Sequence, residues 1–154
     1  MAEVKIRLGE ASDAPTIVDF QLRLAQETEP FALDQATLER GVDRLFQPHP
    51  PGFYVIAEDP EGAPMGCLLV LSEWSDWRAG EVWWIHSVYV PPAHRRKGVY
   101  RAMATFVEAK GRAEGARGLR LYVERTNRRA QAVYRRLGMS DEHYTLFEKM
   151  FGEY

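Results

Sequence analysis

The sequence predicts an α/β domain, a mixed central sheet covered by helices on both faces. Three observations carry that prediction. The apolar pattern changes from period two to period 3.6 at Gly98, the same change recurs at Asn127, and two β-rich runs, FYVIAED and MGCLLVL, flank the turn-forming PEGAP. Strands that lead into helices in this way build a layered α/β sandwich.

Taken in order, VKIRLGE (4–10) alternates Val4, Ile6 and Leu8 and reads as a strand. Ser12 or Asp13 can cap a first helix with Pro15 in its first turn and Ala14, Ile17, Val18, Leu22 and Ala25 as its stripe. A second helix is expected from about Asp34 to Phe46 on Leu38, Val42 and Leu45, ended by the prolines of PHPPG. The hairpin follows. VWWIHSVYV (82–90) is apolar on both faces, which marks a central strand, and Pro91-Pro92 terminate it. A helix then begins at Gly98 with Val99, Ala102, Met103, Phe106 and Val107 on one face. GLRLYVE (118–124) reads as another buried strand. The next helix aligns Ala130, Val133, Tyr134 and Leu137, with Gly138 at its C-terminal cap. EHYTLFEKM (142–150) reads as a closing strand. The expected order is β-α-α-β-β-β-α-β-α-β, with no linker or repeat, so residues 1–154 are expected to form a single domain.

Bulk properties narrow the function. A net charge of −2 argues against general electrostatic adhesion to nucleic acid or anionic membrane. One cysteine, Cys67, allows no internal disulfide and fits a cytoplasmic location; in an apolar strand it reads as a small buried residue. No apolar run approaches the ~18 residues of a transmembrane helix, and MAEVKIRLGE does not read as a signal peptide. His49, His94 and His143 show no ligand spacing with one another or with Cys67, so no metal is expected.

The chemistry concentrates in HRRKGVYRAM (94–103), where Arg95, Arg96 and Lys97 precede Gly98 at a strand-to-helix junction. The first turn of a helix leaves N–H groups unpaired and carries partial positive charge, so this is a candidate phosphate or pyrophosphate cradle. Taken alone, the stretch is also compatible with a basic, solvated turn. It matches neither the Walker phosphate loop nor the dinucleotide-binding glycine pattern.

These residues resemble the GNAT N-acetyltransferase superfamily. That family carries Gln/Arg-x-x-Gly-x-Gly/Ala after its fourth strand. Arg95, Arg96, Lys97, Gly98, Val99 and Tyr100 fill the pattern with one departure, Tyr100 in place of a small residue. Its later motif, Asn-x-x-Ala-x-x-x-Tyr-x-x-x-Gly, is present as Asn127, Ala130, Tyr134 and Gly138. The resemblance implies a three-layer sandwich with about six or seven strands and about four helices. It also implies acetyl-CoA as cosubstrate, its pantetheine arm along the backbone of Val88, Tyr89 and Val90. The diphosphate would lie on the N–H groups from Arg96 through Arg101, beside Arg95, and Asn127 would bond the pantetheine. Tyr134 would protonate the departing thiolate, although its helical face alone reads as that of a core tyrosine with a satisfied hydroxyl.

His86, nine residues before Arg95, stands where arylalkylamine acetyltransferases carry a catalytic histidine. It is a candidate base, direct or through water, or a structural residue; Glu81 and Glu124 compete for the role. SEWSDWRAGEVWW (72–84) sets Glu73, Asp76 and Glu81 among Trp74, Trp84 and two further tryptophans. That mixture suits a cationic amine or an ordinary surface loop. The expected activity is acetyl transfer to the primary amine of a small molecule by direct attack in a ternary complex. Peptide or protein acetylation and a non-catalytic acyl-CoA sensor are the alternatives, and a homodimer is left open.

Overall fold

Alternation of apolar residues in the first half of the chain produces a run of antiparallel strands, each paired with its neighbour in sequence. The computed structural model describes residues 3–152. Contacts divide the chain into two compact units, Met1–Arg120 and Leu121–Tyr154.

The first unit holds the sheet. β1 (Lys5–Leu8), β2 (Gly52–Glu58), β3 (Pro64–Ser75) and β4 (Gly80–Tyr89) pair antiparallel in that order, and β5 (Gly118–Arg120) joins β4 in parallel. Parallel pairing requires a crossover, supplied by α3 (Val99–Glu114). On one face lie α1 (Ala14–Thr28) and α2 (Gln35–Asp43). Pro15 sits in the first turn of α1, and the Asp34 carboxylate caps α2 by accepting from Thr37 N at 3.0 Å. Ile17, Val18 and Phe20 of α1 and Val42 of α2 pack on Tyr54, Ile56, Cys67 and Tyr89 of the sheet. The opposite face is covered by Val99, Met103 and Val107 of α3, and Trp83 lies under Gly111. Helices on both faces of a mixed sheet make this the expected three-layer α/β fold.

At the start of the chain Arg7 joins β1 to the entry of α1. Its guanidinium donates to both oxygens of Asp13 at 2.8 Å and to Glu58 at 3.0 Å.

The second unit contains α4 (Arg128–Arg136). It ends as expected at Gly138, with Met139 N donating to Tyr134 O at 3.0 Å and Gly138 N to Arg135 O at 3.0 Å.

Two expected strands are corrected. GLRLYVE is a strand only over Gly118–Arg120, and EHYTLFEKM forms no strand, so the sheet has five strands among the described residues. Strand preference reflects fit to a half-buried, paired surface, and residues 142–150 have neither. All nine are exposed, Tyr144 at 77% and Phe147 at 92%.

Candidate functional site

β4 is the centre of the candidate site because its pairing is broken twice. The ladder with β5 stops at Trp84 and Arg120, so β5 does not extend along β4 past Trp84. The ladder with β3 slips: Leu69 pairs with His86 but Cys67 with Tyr89, so Leu68 faces two residues, Ser87 and Val88. This is a β-bulge, and Ser87 adopts φ 55 within it. Gln21, buried on α1, holds the bulge by donating from Nε2 to Ser87 O at 3.1 Å. The extra residue has a direct consequence. His86 and Tyr89 would face opposite sides of an unbroken strand, yet both turn to the face covered by α1 and α2.

Past Tyr89 the chain makes a short turn, Pro92–His94, and reaches α3 through a left-handed backbone at Arg96 (φ 63) and Gly98 (φ 77). A Cβ on Gly98 would meet nothing within 4 Å, so conformation and not space asks for glycine here. The first intrahelical bond runs from Ala102 N to Gly98 O at 3.0 Å. The N–H groups of Val99, Tyr100 and Arg101 therefore lie in the first turn, where no preceding turn supplies a carbonyl. Arg96 and Lys97 are exposed beside it. The junction thus combines a left-handed loop, a helix start and two exposed cations, the features an anion cradle would need.

Arg95 is used differently. Its Nε donates to Val90 O at 2.8 Å, its Nη2 to Glu27 Oε1 at 2.6 Å, and the guanidinium lies 5.7 Å from the centre of the Tyr89 ring. The Tyr89 hydroxyl donates to the other Glu27 oxygen at 2.5 Å. The Tyr89 hydroxyl and the Arg95 guanidinium hold the Glu27 carboxyl below its ordinary value. Sequence reasoning missed both Gln21 and Glu27. Gln21 gave one signal, a polar residue inside the apolar stripe of α1; Glu27 gave none.

His86 stacks on Trp84 with centroids 5.9 Å apart and planes 10° apart. Partial burial lowers its pKa from the usual imidazole value, which leaves a neutral ring able to accept a proton at pH 7. Alternation puts Glu73, Trp84 and His86 on the α1 and α2 face, and Trp74 and Glu81 on the other. The acidic, tryptophan-rich group is therefore split. Glu73 is paired with Arg120 at 3.1 Å, and Glu81 accepts from the Ser72 hydroxyl at 2.5 Å. Asp76 receives the Trp77 N–H at 2.9 Å in the β3–β4 turn, where Trp77 is 86% and Trp74 62% exposed.

In the second unit Asn127 caps α4, its Oδ1 accepting from Ala130 N at 3.1 Å. That leaves its amide NH2 to donate elsewhere. Tyr134 lies on the same helix, half-buried, and burial raises its phenol above the usual value, which keeps the proton on at neutral pH. Glu124 contributes its backbone carbonyl to Gln131 Nε2 at 3.2 Å.

A bulged fourth strand thus feeds a left-handed loop and a helix start in a three-layer α/β fold. Residues 18–139 match the acetyltransferase (GNAT) family, and the chain belongs to it. Among solved structures it is similar to a possible acetyltransferase from Clostridium difficile 630, with 34% identity, a TM-score of 0.88 and coverage of 97% of this chain and 99% of that one. Two more distant structures share the fold. The aminoglycoside N-acetyltransferase AAC(6')-Iy in complex with CoA is 15% identical with a TM-score of 0.81, covering 99% of this chain and 97% of that one. A ribosomal-protein-alanine N-acetyltransferase from Brucella melitensis biovar Abortus 2308 is 18% identical with a TM-score of 0.78, covering 97% and 100%. No protein of curated function matches the chain.

Proposed function

We propose that the protein transfers an acetyl group from acetyl-CoA to the primary amine of a small molecule, by direct attack in a ternary complex. The observation that carries the reading is the stretch of β4 beyond its ladder with β5, Ile85 to Tyr89, which leads into the Arg96–Gly98 loop and the start of α3. An extended amide chain such as pantetheine can add along that stretch as a strand adds to a sheet. A diphosphate suits the start of α3, where partial positive charge gathers at a helix N-terminus, and the cations Arg96 and Lys97 beside it. Acetyl-CoA supplies the activated acetyl group.

The chain's own residues would manage two protons. The attacking nitrogen forms the C–N bond as the C–S bond breaks, and it must shed a proton. His86, neutral at pH 7, is suited to take that proton directly or through water. The departing sulfur needs a proton, and Tyr134, whose phenol is held protonated, is suited to give it. Asn127 retains amide donors for the pantetheine carbonyls. Glu73, on the same face as His86, is the acidic candidate for drawing in a cationic acceptor; Glu81, on the other face, is not. The reading treats the whole chain as one catalytic domain working in the cytoplasm.

The test is release of free thiol from acetyl-CoA across four panels: small polyamines and monoamines, amino acids, aminoglycosides, and peptides with free N-termini. Turnover confined to small cationic amines is expected. Turnover confined to peptides would move the acceptor to polypeptide N-termini, and CoA binding without turnover on any panel would make the protein a sensor.

A further inference from the structure

α1 grips the C-terminal end of β4 and the turn after it at two places. Gln21 holds the bulge at Ser87 O, and Glu27, in the last turn, receives the Tyr89 hydroxyl on one oxygen and Arg95 on the other. Arg95 also bonds back to Val90 O, which closes the stretch from Val90 to Arg95 into a ring fastened to α1. One carboxylate thus fixes both the end of the strand and the residue from which the left-handed Arg96–Gly98 loop departs. A non-glycine residue at φ 63, as Arg96 is, persists only where its surroundings over-determine it. With Arg95 committed to Glu27 and Val90, Arg96 and Lys97 are the exposed cations of the junction itself.

We infer that Glu27 is a positioning residue for the CoA-binding loop, acting through Arg95 and Tyr89 to hold the β4–α3 junction in its anion-receiving shape. The inference rests on acetyl-CoA as the cosubstrate. Its energetic signature differs from that of a structural ion pair. Arg95 and Glu27 are 44% and 36% exposed, and pairs so exposed add little to global stability. Removing Glu27 should therefore cost binding while leaving the fold nearly as stable as before.

The experiment uses the full chain and free CoA, without acceptor. Calorimetric titration, thermal unfolding and hydrogen–deuterium exchange are compared for wild type, Glu27→Ala, Glu27→Gln, Arg95→Ala and the Glu27→Ala/Arg95→Ala double variant. Glu27→Ala is expected to raise the Kd for CoA about tenfold, which corresponds to about 1.4 kcal/mol. Its Tm should fall by no more than about 4 °C. Exchange should quicken at the amides from Arg95 to Arg101 in the ligand-free protein. Glu27→Gln keeps one acceptor oxygen for Tyr89 and should lie between wild type and Glu27→Ala. In the Arg95→Ala background, Glu27→Ala should cost less than threefold further, because the contact they share is already gone and only the Tyr89 bond remains to be lost. A wild-type Kd in Glu27→Ala overturns the inference, as does full additivity with Arg95→Ala or a large Tm loss with unchanged loop exchange. A wild-type protein with no affinity for CoA overturns the cosubstrate itself and the inference with it.

Discussion

α3 begins and ends on glycines with nearly the same backbone: Gly98 at φ 77, ψ 16 and Gly115 at φ 82, ψ 16. A Cβ built on either would meet no atom within 4 Å. Replacing either by alanine therefore carries only the conformational cost of a left-handed L-residue, about 1–2 kcal/mol. For a chain of this length that corresponds to a fall in Tm of roughly 2–8 °C. Gly98→Ala and Gly115→Ala should be destabilised alike. They should part company on CoA. An alanine at 98 that relieves its strain by moving toward negative φ re-aims the N–H groups of the loop. The Kd for CoA should then rise tenfold or more. Gly115, sixteen helical residues away at the other end of α3, gives the same strain with no change at the loop, and its variant should bind CoA within twofold of wild type. Thermal unfolding followed by calorimetric titration of both variants decides the matter. Equal losses of affinity, or no loss at 98, would refute the assignment of the α3 N-terminus as the anion cradle.

Three further outcomes are expected. Tyr134→Phe keeps the ring and removes the phenolic proton, so turnover should fall about 10²–10⁴-fold with little change in Tm; unchanged turnover would leave Tyr134 as packing. His86→Ala should remove an acid limb of the kcat/KM profile that lies below the ordinary imidazole value of about 6.5, since burial lowers the folded pKa. By the same sign, unfolded chain takes up that proton first, so His86 makes wild-type stability decline as pH falls below about 6.5; an unaltered profile in the variant excludes the residue as base. Cys67 is fully buried and its thiol is pushed up to about 12, so aromatic disulfide reagents should leave native protein unlabelled at pH 8 and modify it only on unfolding.

The parts of the molecule set by local pattern were legible in its residues. The β2–β3 hairpin, the central strand, the stripe of α3 and the Gly138 stop all follow from neighbours a few positions apart. The parts that depend on register were not. A bulge at Ser87 is a relation between two strands, and no periodicity in VWWIHSVYV announces it. Because of that one extra residue, Tyr89 reaches Glu27, sixty-two positions away in the chain, and Arg95 reaches it across sixty-eight. The closing strand fails for the converse reason. EHYTLFEKM has the composition of a strand, but composition does not supply the neighbouring edge that a strand needs.

The order of strands in the sheet repeats the order of strands in the chain, β1 to β5. Apart from the α1–α2 excursion between β1 and β2, β2 to β4 are joined by tight turns, and pairings close in sequence form quickly because little loop entropy is lost in closing them. As the chain leaves the ribosome, the antiparallel sheet can assemble as soon as Tyr89 is free. The parallel partner must wait for the whole of α3. A nascent chain halted in that interval would present the entire outer edge of β4, from Val82 onward, as an open template for another strand. The edge proposed to receive a cofactor in the finished enzyme is thus an edge open to mispairing during synthesis.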